Sequence, residues 1–255
     1  MKFFPDFFLK NRYLNKAYRI FVVIYRNLLE LSVADSRVTL EKLGSNYGGW
    51  FVPTLQIRSD WIIYSGGIGQ DTTFDEELIR RYGCKVFAFD PTPTAIEFVN
   101  QRKKNSEAMK NFVFSPIGLW SQDTILKFYA PRTRGWVGSY SARNLQGMEE
   151  YFEAQCKSIT TIMREYGHQK INLLKIDIEG AEYEVLDDII TNRVEVDWLC
   201  VEFDQPVPFW TTQRMLSKLF DYGLTLQKID KWNFTFAHIS LLKTKSDPGI
   251  LSSAS

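Results

Sequence analysis

The stretch from residue 61 to residue 90, WIIYSGGIGQDTTFDEELIRRYGCKVFAFD, constrains the fold of this chain more than any other. It opens on a short apolar run, Trp61 to Tyr64, and turns through Ser65-Gly66-Gly67-Ile68-Gly69. Thr72 or Thr73 then caps a predicted helix whose first turn carries Asp75 and Glu76, where the helix dipole favours acids. Gly83 ends that helix, and a second apolar run, Val86 to Phe89, ends on Asp90. Strand, glycine turn, helix, strand, acid is a βαβ unit suited to gripping a nucleoside. Gly67 and Gly69 let the backbone approach a ligand closely. Asp90, about 20 residues after the glycines, is placed to accept hydrogen bonds from a ribose diol.

The glycine spacing narrows the choice of nucleoside. A dinucleotide fingerprint, G-x-G-x-x-G, needs a third small residue so that helix and strand pack closely beside a pyrophosphate. Counted from Gly67, that third position is Thr72. This argues against NAD and for a ligand without a pyrophosphate, of which S-adenosylmethionine (SAM) is the commonest on this kind of sheet.

The rest of the chain continues the alternation. Thr92 with Pro93 starts a helix running to about Lys104, whose basic residues Arg102, Lys103 and Lys104 are expected to be a solvated face. Residues 111–118 and 126–130 are predicted strands. Residues 131–147 have no clear period and are an expected substrate lid or surface insertion. Residues 172–177, NLLKID, form a strand ending on an acid. A turn at Ile178-Glu179-Gly180 leads to a helix over 181–190, with Glu182 and Glu184 in its acidic first turn. Strand 196–203, helix 212–222 and two strands over 224–229 and 233–242 complete the series. Such alternation implies a parallel sheet covered on both faces. The expected fold is therefore α/β: a Rossmann-like, doubly wound, mostly parallel seven-stranded sheet with a C-terminal antiparallel hairpin and an N-terminal helical extension. Seven strands with that ending is the pattern of class I SAM-dependent methyltransferases.

We place the helical extension at residues 1–43, the main domain at 44–245 and a frayed tail at 246–255. Residues 41–53, EKLGSNYGGWFVP, are expected to be irregular and able to fold over a cofactor. Residues 15–31 are a predicted helix. Arg19 and Arg26 interrupt its apolar run, which is too short and too charged to span a bilayer. It is expected to pack on the domain edge, with a weak membrane-surface contact as the alternative. No small-residue cleavage site follows it. Together with three widely spaced cysteines, Cys84, Cys156 and Cys200, this fits a cytoplasmic protein, possible peripheral membrane contact aside. A formal net charge of +1 makes no electrostatic case for nucleic acid. Two histidines, His168 and His238, make a zinc site implausible, and His238 is expected to be a hydrogen-bonded core residue.

Two segments resemble a known family: Ile63-Tyr64-Ser65-Gly66-Gly67-Ile68-Gly69-Gln70-Asp71 with Phe74-Asp75, and Leu174-Lys175-Ile176-Asp177-Ile178-Glu179-Gly180-Ala181-Glu182. They are similar to the FkbM-type SAM-dependent methyltransferases, in which a K-x-D-x-E-G-A-E block follows the fourth strand. Phe89-Asp90-Pro91-Thr92-Pro93 and Ile117-Gly118-Leu119-Trp120 resemble the family at matching places. The resemblance implies SAM as methyl donor and O-methylation of a hydroxyl on a small molecule, sugar or glycan. It implies a cofactor site at Ser65, Gly67, Gly69, Asp71, Asp90, Pro91, Ile117, Gly118 and Asp177. Many methyltransferases carry an acid where this chain has Ser65, so the contact to the methionine amino group is expected from Asp71 or a backbone carbonyl.

Methyl transfer is an in-line displacement, so the enzyme chiefly positions an acceptor and removes its proton. Asp177 is the foremost candidate for that work and Glu179 the next; Lys175 is expected to pair with a carboxylate. Asp177 with Glu202 or Asp204 could offer oxygen ligands to a hard cation, but carboxylates at strand ends occur without metals and none is expected. Two other functions fit parts of the pattern. A nicotinamide-dependent oxidoreductase is opposed by Thr72 and the terminal hairpin. A non-catalytic nucleoside-binding protein is favoured by Ser65 and by the lack of a convincing histidine base.

Overall fold

The computed structural model describes residues 20, 23–25, 27–29, 33, 38–130, 140–142, 144, 148–203 and 207–242. The strands are β1 (Glu41–Leu43), β2 (Trp50–Val52), β3 (Ile62–Gly66), β4 (Lys85–Phe89), β5 (Phe112–Ser115) and β6 (Gly118–Leu119). After them come β7 (Thr124–Tyr129), β8 (Tyr151–Lys157), β9 (Ile171–Ile176), β10 (Val196–Glu202), β11 (Leu224–Asp230) and β12 (Asn233–His238). The helices are α1 (Thr73–Tyr82), α2 (Pro93–Asn105), α3 (Ile159–Tyr166), α4 (Glu182–Thr191), α5 (Phe209–Tyr222) and the short α6 (Ile239–Leu242), with a 3-10 turn at Glu107–Asn111.

Seven strands make the main sheet in the order β11-β12-β10-β9-β3-β4-β5. β9, β10, β3, β4 and β5 pair in parallel, and β12 runs antiparallel to both β10 and β11. This is the Rossmann-like architecture the strand–helix alternation implies, closed by the antiparallel hairpin. The chain starts in the middle of the sheet at β3, builds outward through β4 and β5, and then returns to β9 on the other side. Strand order therefore reverses between β3 and β9, and ligands of open α/β sheets bind in the crevice at such a point.

Parallel strands are covered on both faces, so alternate residues enter different cores. Tyr64, Phe87, Phe89, Leu174 and Ile176 pack under α3, α4 and α5, against Ile159, Val185, Leu186, Leu216 and Leu219. Ile63, Val86, Ala88, Leu173 and Trp198 pack on the other face, against Phe74, Leu78 and Ile79 of α1 and Val99 of α2. Local chemistry sets the helix ends as expected. Gly83 adopts the left-handed conformation after α1, and the Thr92 side chain caps α2 with Pro93 in its first turn.

Besides the strand expected over 233–242, which ends at His238 and gives way to α6, three features differ from the sequence reading. Residues 41–53 are not irregular: β1 and β2 form an antiparallel hairpin that straddles residues 43 and 44. Thr235 Oγ1 of β12 donates to the Phe51 carbonyl at 2.9 Å, and Trp50 is only 1% exposed. The glycines that suggested irregularity form the loop between the two strands. The second difference is a three-stranded sheet, order β6-β8-β7, inserted between β5 and α3. It contains β8, which its half-exposed alternation concealed. The third is His238, which lies at the end of β12, bonded to Ser240 Oγ at 2.8 Å, and not in the core. Because β12 is antiparallel, that end lies at the edge opposite the crevice.

Most of the 131–147 segment, Asp204 and the 246–255 tail lie outside the described residues. In the N-terminal extension, residues 20, 23–25 and 27–29 are helical. Tyr25 meets Phe209 edge-on at 4.6 Å, Leu29 and Val33 pack on the core, and Ile20, Ile24 and Leu28 are more than half exposed. No helix among the described residues is long and apolar enough to cross a membrane.

The β1–β2 hairpin generates a direct prediction. If Trp50 is a core residue, Trp50→Ala lowers stability by about 3–5 kcal/mol, measured by urea denaturation. A loss within about 0.5 kcal/mol would mark it as a surface flap residue.

Candidate cofactor and acceptor site

The turn after β3 is held by backbone contact across the crevice. Asp177 N–H donates to the Gly66 carbonyl at 3.1 Å, which brings the ends of β3 and β9 together. Gly67 has φ +77°, and a Cβ there would lie 1.6 Å from the Asp177 carbonyl oxygen. Gly67 is therefore required by the protein's own backbone and not by a ligand. Gly69 is the opposite case: its φ is +53°, and a Cβ would meet nothing within 4 Å. Of the two glycines, Gly69 is the one that faces open space.

Asp90 has a different first task from the one expected. Its Oδ2 accepts from Ile68 N–H at 2.8 Å and Gly69 N–H at 2.9 Å. Its Oδ1 accepts from Thr92 N–H at 2.8 Å and Thr92 Oγ at 2.6 Å. Both oxygens of this buried carboxylate serve the turn and the α2 cap, so a ribose must share them. The physical reason is proximity: β4 lies beside β3, where Gly67 N–H still reaches the Phe89 carbonyl at 2.9 Å while the next two amides turn to the Asp90 carboxylate. Pro91 follows, and Gly118 lies near it. A Cβ on Gly118 would be 3.6 Å from Pro91 Cγ and 2.7 Å from Cys156 Sγ, so Gly118 is small to admit β8. Ile117 N–H bonds back to Ser115 at 2.9 Å, shaping the same corner.

Asp71 is likewise engaged within the chain. Its Oδ1 accepts Thr73 N–H at 2.8 Å, capping α1, and its Oδ2 accepts Ser45 Oγ at 2.6 Å, anchoring the β1–β2 loop. Burial raises the Asp71 pKa, but the bonds from Ser45 and Thr73 and the charge of Lys175 outweigh it, leaving a net downward shift. Glu76 is buried, not an exposed dipole partner, and pairs with Arg102 at 2.6 Å, which takes Arg102 out of the solvated face expected for it.

Beneath the turn lies a charged group that the sequence only hinted at. Lys175, 7% exposed, donates to the carbonyls of Gly66, at 3.2 Å, and Gly67. It also pairs with Asp177 Oδ2 at 3.7 Å, as its expected carboxylate partner. Asp75 of α1 is also buried. Burial pushes its carboxyl up to about 6, the Lys175 charge and the neighbouring Ser65 hydroxyl oppose that rise, and the Asp71 charge adds to it. Among the described residues, Ser65 Oγ and Asp75 Oδ1 make no well-formed hydrogen bond, although the two side chains are neighbours. A lysine inside the apolar run NLLKID was the available signal for this cluster, because a buried ammonium demands partners. Nothing local distinguished Asp75 from a surface first-turn acid.

Asp177 heads the crevice with its side chain one-third exposed. The turn that follows is fixed at both ends. Glu182 Oε1 and Oε2 accept from Ile178 N–H at 2.9 Å and Gly180 N–H at 2.8 Å, a stronger role than dipole compensation. Glu179 is held at φ 55°, an unusual conformation for a side-chain-bearing residue, and its carbonyl accepts from Ser141 Oγ at 2.7 Å. Ser141 bridges to Tyr129 of β7, so the inserted sheet is tied to the Glu179 turn. Tyr140 and Phe128 each pack on Phe152, with ring centroids 5.1 and 5.3 Å away, and form the adjoining aromatic wall. No group of three or more potential metal-ligating side chains is assembled among the described residues.

Sheet order, glycine turn and strand-end acids define a Rossmann-like methyltransferase fold. Residues 64–234 match the family described as "Methyltransferase FkbM domain", and the chain belongs to that family. The match runs from β3 into β12 and encloses the site residues from Ser65 to Glu182, with Ser45 outside it, and a methyltransferase family speaks against the nicotinamide alternative. The "Probable methyltransferase-like protein 24" of Rattus norvegicus is 25% identical over 180 residues, 69% of this chain and 42% of that protein. The Homo sapiens protein of the same name is 26% identical over 132 residues, 52% of this chain and 29% of that one. "Methyltransferase sdnD" of Sordaria araneosa is 25% identical over 144 residues, 46% of this chain and 56% of that protein. The chain thus spans about two fifths of the first relative's length and less of the second's. The solved structure of methyltransferase FkbM from Methylobacillus flagellatus KT superposes with a TM-score of 0.44 at 13% identity, over 71% of this chain and 44% of that one.

The two glycines separate by experiment. Gly67→Ala drives a methyl into the Asp177 carbonyl and should lower the melting temperature by several degrees. Gly69→Ala meets no atom and should cost only the left-handed strain of about 1–2 kcal/mol. Equal losses in the two variants, read by thermal denaturation, would contradict this division.

Asp75 yields a pH prediction. Its carboxyl is raised from 3.8 to about 6, so the native state holds that proton more tightly than the unfolded chain. The resulting penalty is present above about pH 6 and is relieved as pH falls through that value. Asp75→Asn imitates the protonated form. It should stabilise the protein at pH 8, by up to the order of 3 kcal/mol, with the gain fading by pH 5. A variant less stable than the parent at pH 8 would overturn the assignment.

Proposed function

We propose that this chain is a SAM-dependent O-methyltransferase acting on a hydroxyl of a small molecule, sugar or glycan. The observation that carries the reading is the juxtaposition, across the Gly67–Asp177 seam, of an open glycine turn and a partly exposed carboxylate. The residues present suit SAM. Gly69 leaves room against the turn, and the orphaned Ser65 Oγ and Asp75 Oδ1 are buried beside it. The carboxylates of Asp71, Asp75 and Asp177 outnumber the ammonium of Lys175 in a place where a cationic sulfonium would sit. SAM would supply an electrophilic methyl group.

The chain's own residues then have defined tasks. The turn of residues 66–69, with Asp90 fixing two of its amides, forms the cradle. Pro91, Ile117 and Gly118 form the corner on the β4 side. Asp177 orients the acceptor hydroxyl and takes its proton, and Glu179 stands on the rigid turn next to it. The Ser141 clamp and the aromatic wall of β7 and β8 support placing the acceptor on that side, because variable insertions beside a fixed cradle are where such folds read their substrates.

Calorimetry with SAM, S-adenosylhomocysteine and NAD tests the cofactor. Binding of NAD alone would sink the reading. An acceptor screen with methyl-labelled SAM, read by mass spectrometry, tests the chemistry. With an acceptor in hand, Asp177→Asn should lower turnover by about 10²–10⁴-fold while changing SAM affinity much less. Near-normal turnover would move the role to Glu179.

A further inference from the structure

Lys175 sits in β9 among Leu173, Leu174 and Ile176, which are fully buried, and is itself only 7% exposed. An ammonium survives there only if its charge and its donors are used. Its donors go to the Gly66 and Gly67 carbonyls, and its charge faces Asp177 at 3.7 Å. Every element around it contributes a group. Asp71 on the turn and Asp75 on α1 make no ion pair with it but feel its charge at longer range. From β10 comes the Cys200 thiol, which burial pushes up to about 12 and which therefore stays neutral. From the β1–β2 hairpin comes the Trp50 ring, 6.0 Å from the ammonium. The turn is thus gripped from two sides: Asp90 holds the amides of Ile68 and Gly69, and Lys175 holds the carbonyls of Gly66 and Gly67.

We propose that Lys175 is the positioning residue of the cradle: countered by the Asp75 and Asp177 carboxylates, its ammonium draws the Gly66 and Gly67 carbonyls inward and fixes the turn in the shape that leaves Gly69 open. The inference rests on the reading of that turn as the SAM cradle. It also accounts for Asp75. A buried carboxylate with an unpartnered oxygen is an unfavourable feature, and such features are kept where their charge has a task. Here the task is to balance the ammonium's charge from the α1 side. When Asp75 takes up a proton, Lys175 turns more fully to Asp177, and its hold on the carbonyls relaxes.

The test measures SAM binding to the full chain by calorimetry from pH 5 to pH 9, for the parent, Lys175→Met and Asp75→Asn. Alongside it, the Asp75 carboxyl is titrated by carbon-13 NMR without ligand. The parent's affinity should fall as pH drops through about 6, the value to which Asp75 is raised. Lys175→Met should bind SAM about 10- to 100-fold more weakly at pH 8, and its Asp75 titration should move upward. Asp75→Asn should lose the acid limb and bind at pH 8 as the parent does at pH 5. A uniform loss in Lys175→Met with the Asp75 titration unmoved would reduce Lys175 to packing and overturn the proposal, as would affinity within two-fold of the parent. If Lys175→Met fails to fold, Asp75→Asn decides: a parental acid limb in that variant overturns the proposal. If the parent binds no SAM, the cofactor reading falls by itself. Lys175 is then judged by hydrogen exchange at Ile68 and Gly69, where faster exchange in Lys175→Met supports positioning and unchanged exchange refutes it.

Discussion

The rest of the site depends on one close contact, the approach of the Gly67 backbone to the carbonyl of Asp177. A methyl group at residue 67 would lie 1.6 Å from that oxygen, so only glycine lets β3 and β9 end side by side. The reversal of strand order falls at this pair. β3 leaves toward α1 and β4, β9 leaves toward α4 and β10, and the crevice opens between them. Separating the strands by the width of one methyl would move Asp177 away from the turn it faces and would part Lys175 from the carbonyls it holds.

Around that seam the molecule concentrates buried charge. Asp90, Asp75, Glu76, Lys175 and Glu182 are buried and Asp71 is partly so, and each but Asp75 is hydrogen-bonded. Buried polar networks of this kind do little for net stability and much for defining one geometry. Their placement is consistent with that. The two hydrophobic cores lie along the strands, and the charged groups gather where the strands end, so the apolar layers carry stability and the polar layer sets the shape of the turns. Asp75 is the exception that carries a penalty, and its charge and that of Lys175 act on each other.

The inserted β6–β8 sheet adds a second layer of organisation. It enters between β5 and α3, packs Cys156 against Gly118, and reaches the Glu179 turn through Ser141. The family match spans it, and the Ser141 bond ties this element outside the main sheet to the Glu179 turn. The β1–β2 hairpin, outside the matched span, reaches the same turn from the other face, with the Trp50 ring 6.0 Å from the Lys175 ammonium and Ser45 bonded to Asp71.

Much of this was legible in the chain. The strands β3, β4, β9 and β10 are runs of apolar residues, and α1 and α2 carry caps at Gly83 and Thr92, because periodicity and capping are properties of a few neighbouring residues. The fold class followed from their alternation, and the family from two short blocks. What the sequence could not reveal was direction and company. An acid at the end of a strand has the same spelling whether it faces a ribose or the amides of its own turn, and Asp90 faces the turn. A glycine has the same spelling whether it borders open space, as Gly69 does, or makes room for a carbonyl 110 residues away, as Gly67 does. Asp75 resembles any first-turn acid until α1 is laid on the sheet and removes it from water. Local sequence determined where the chain would turn, extend and coil, because those choices involve adjacent residues. Only the tertiary structure decided which carboxylates lost their solvent and which found a partner, because burial and charge pairing depend on segments that meet nowhere along the chain.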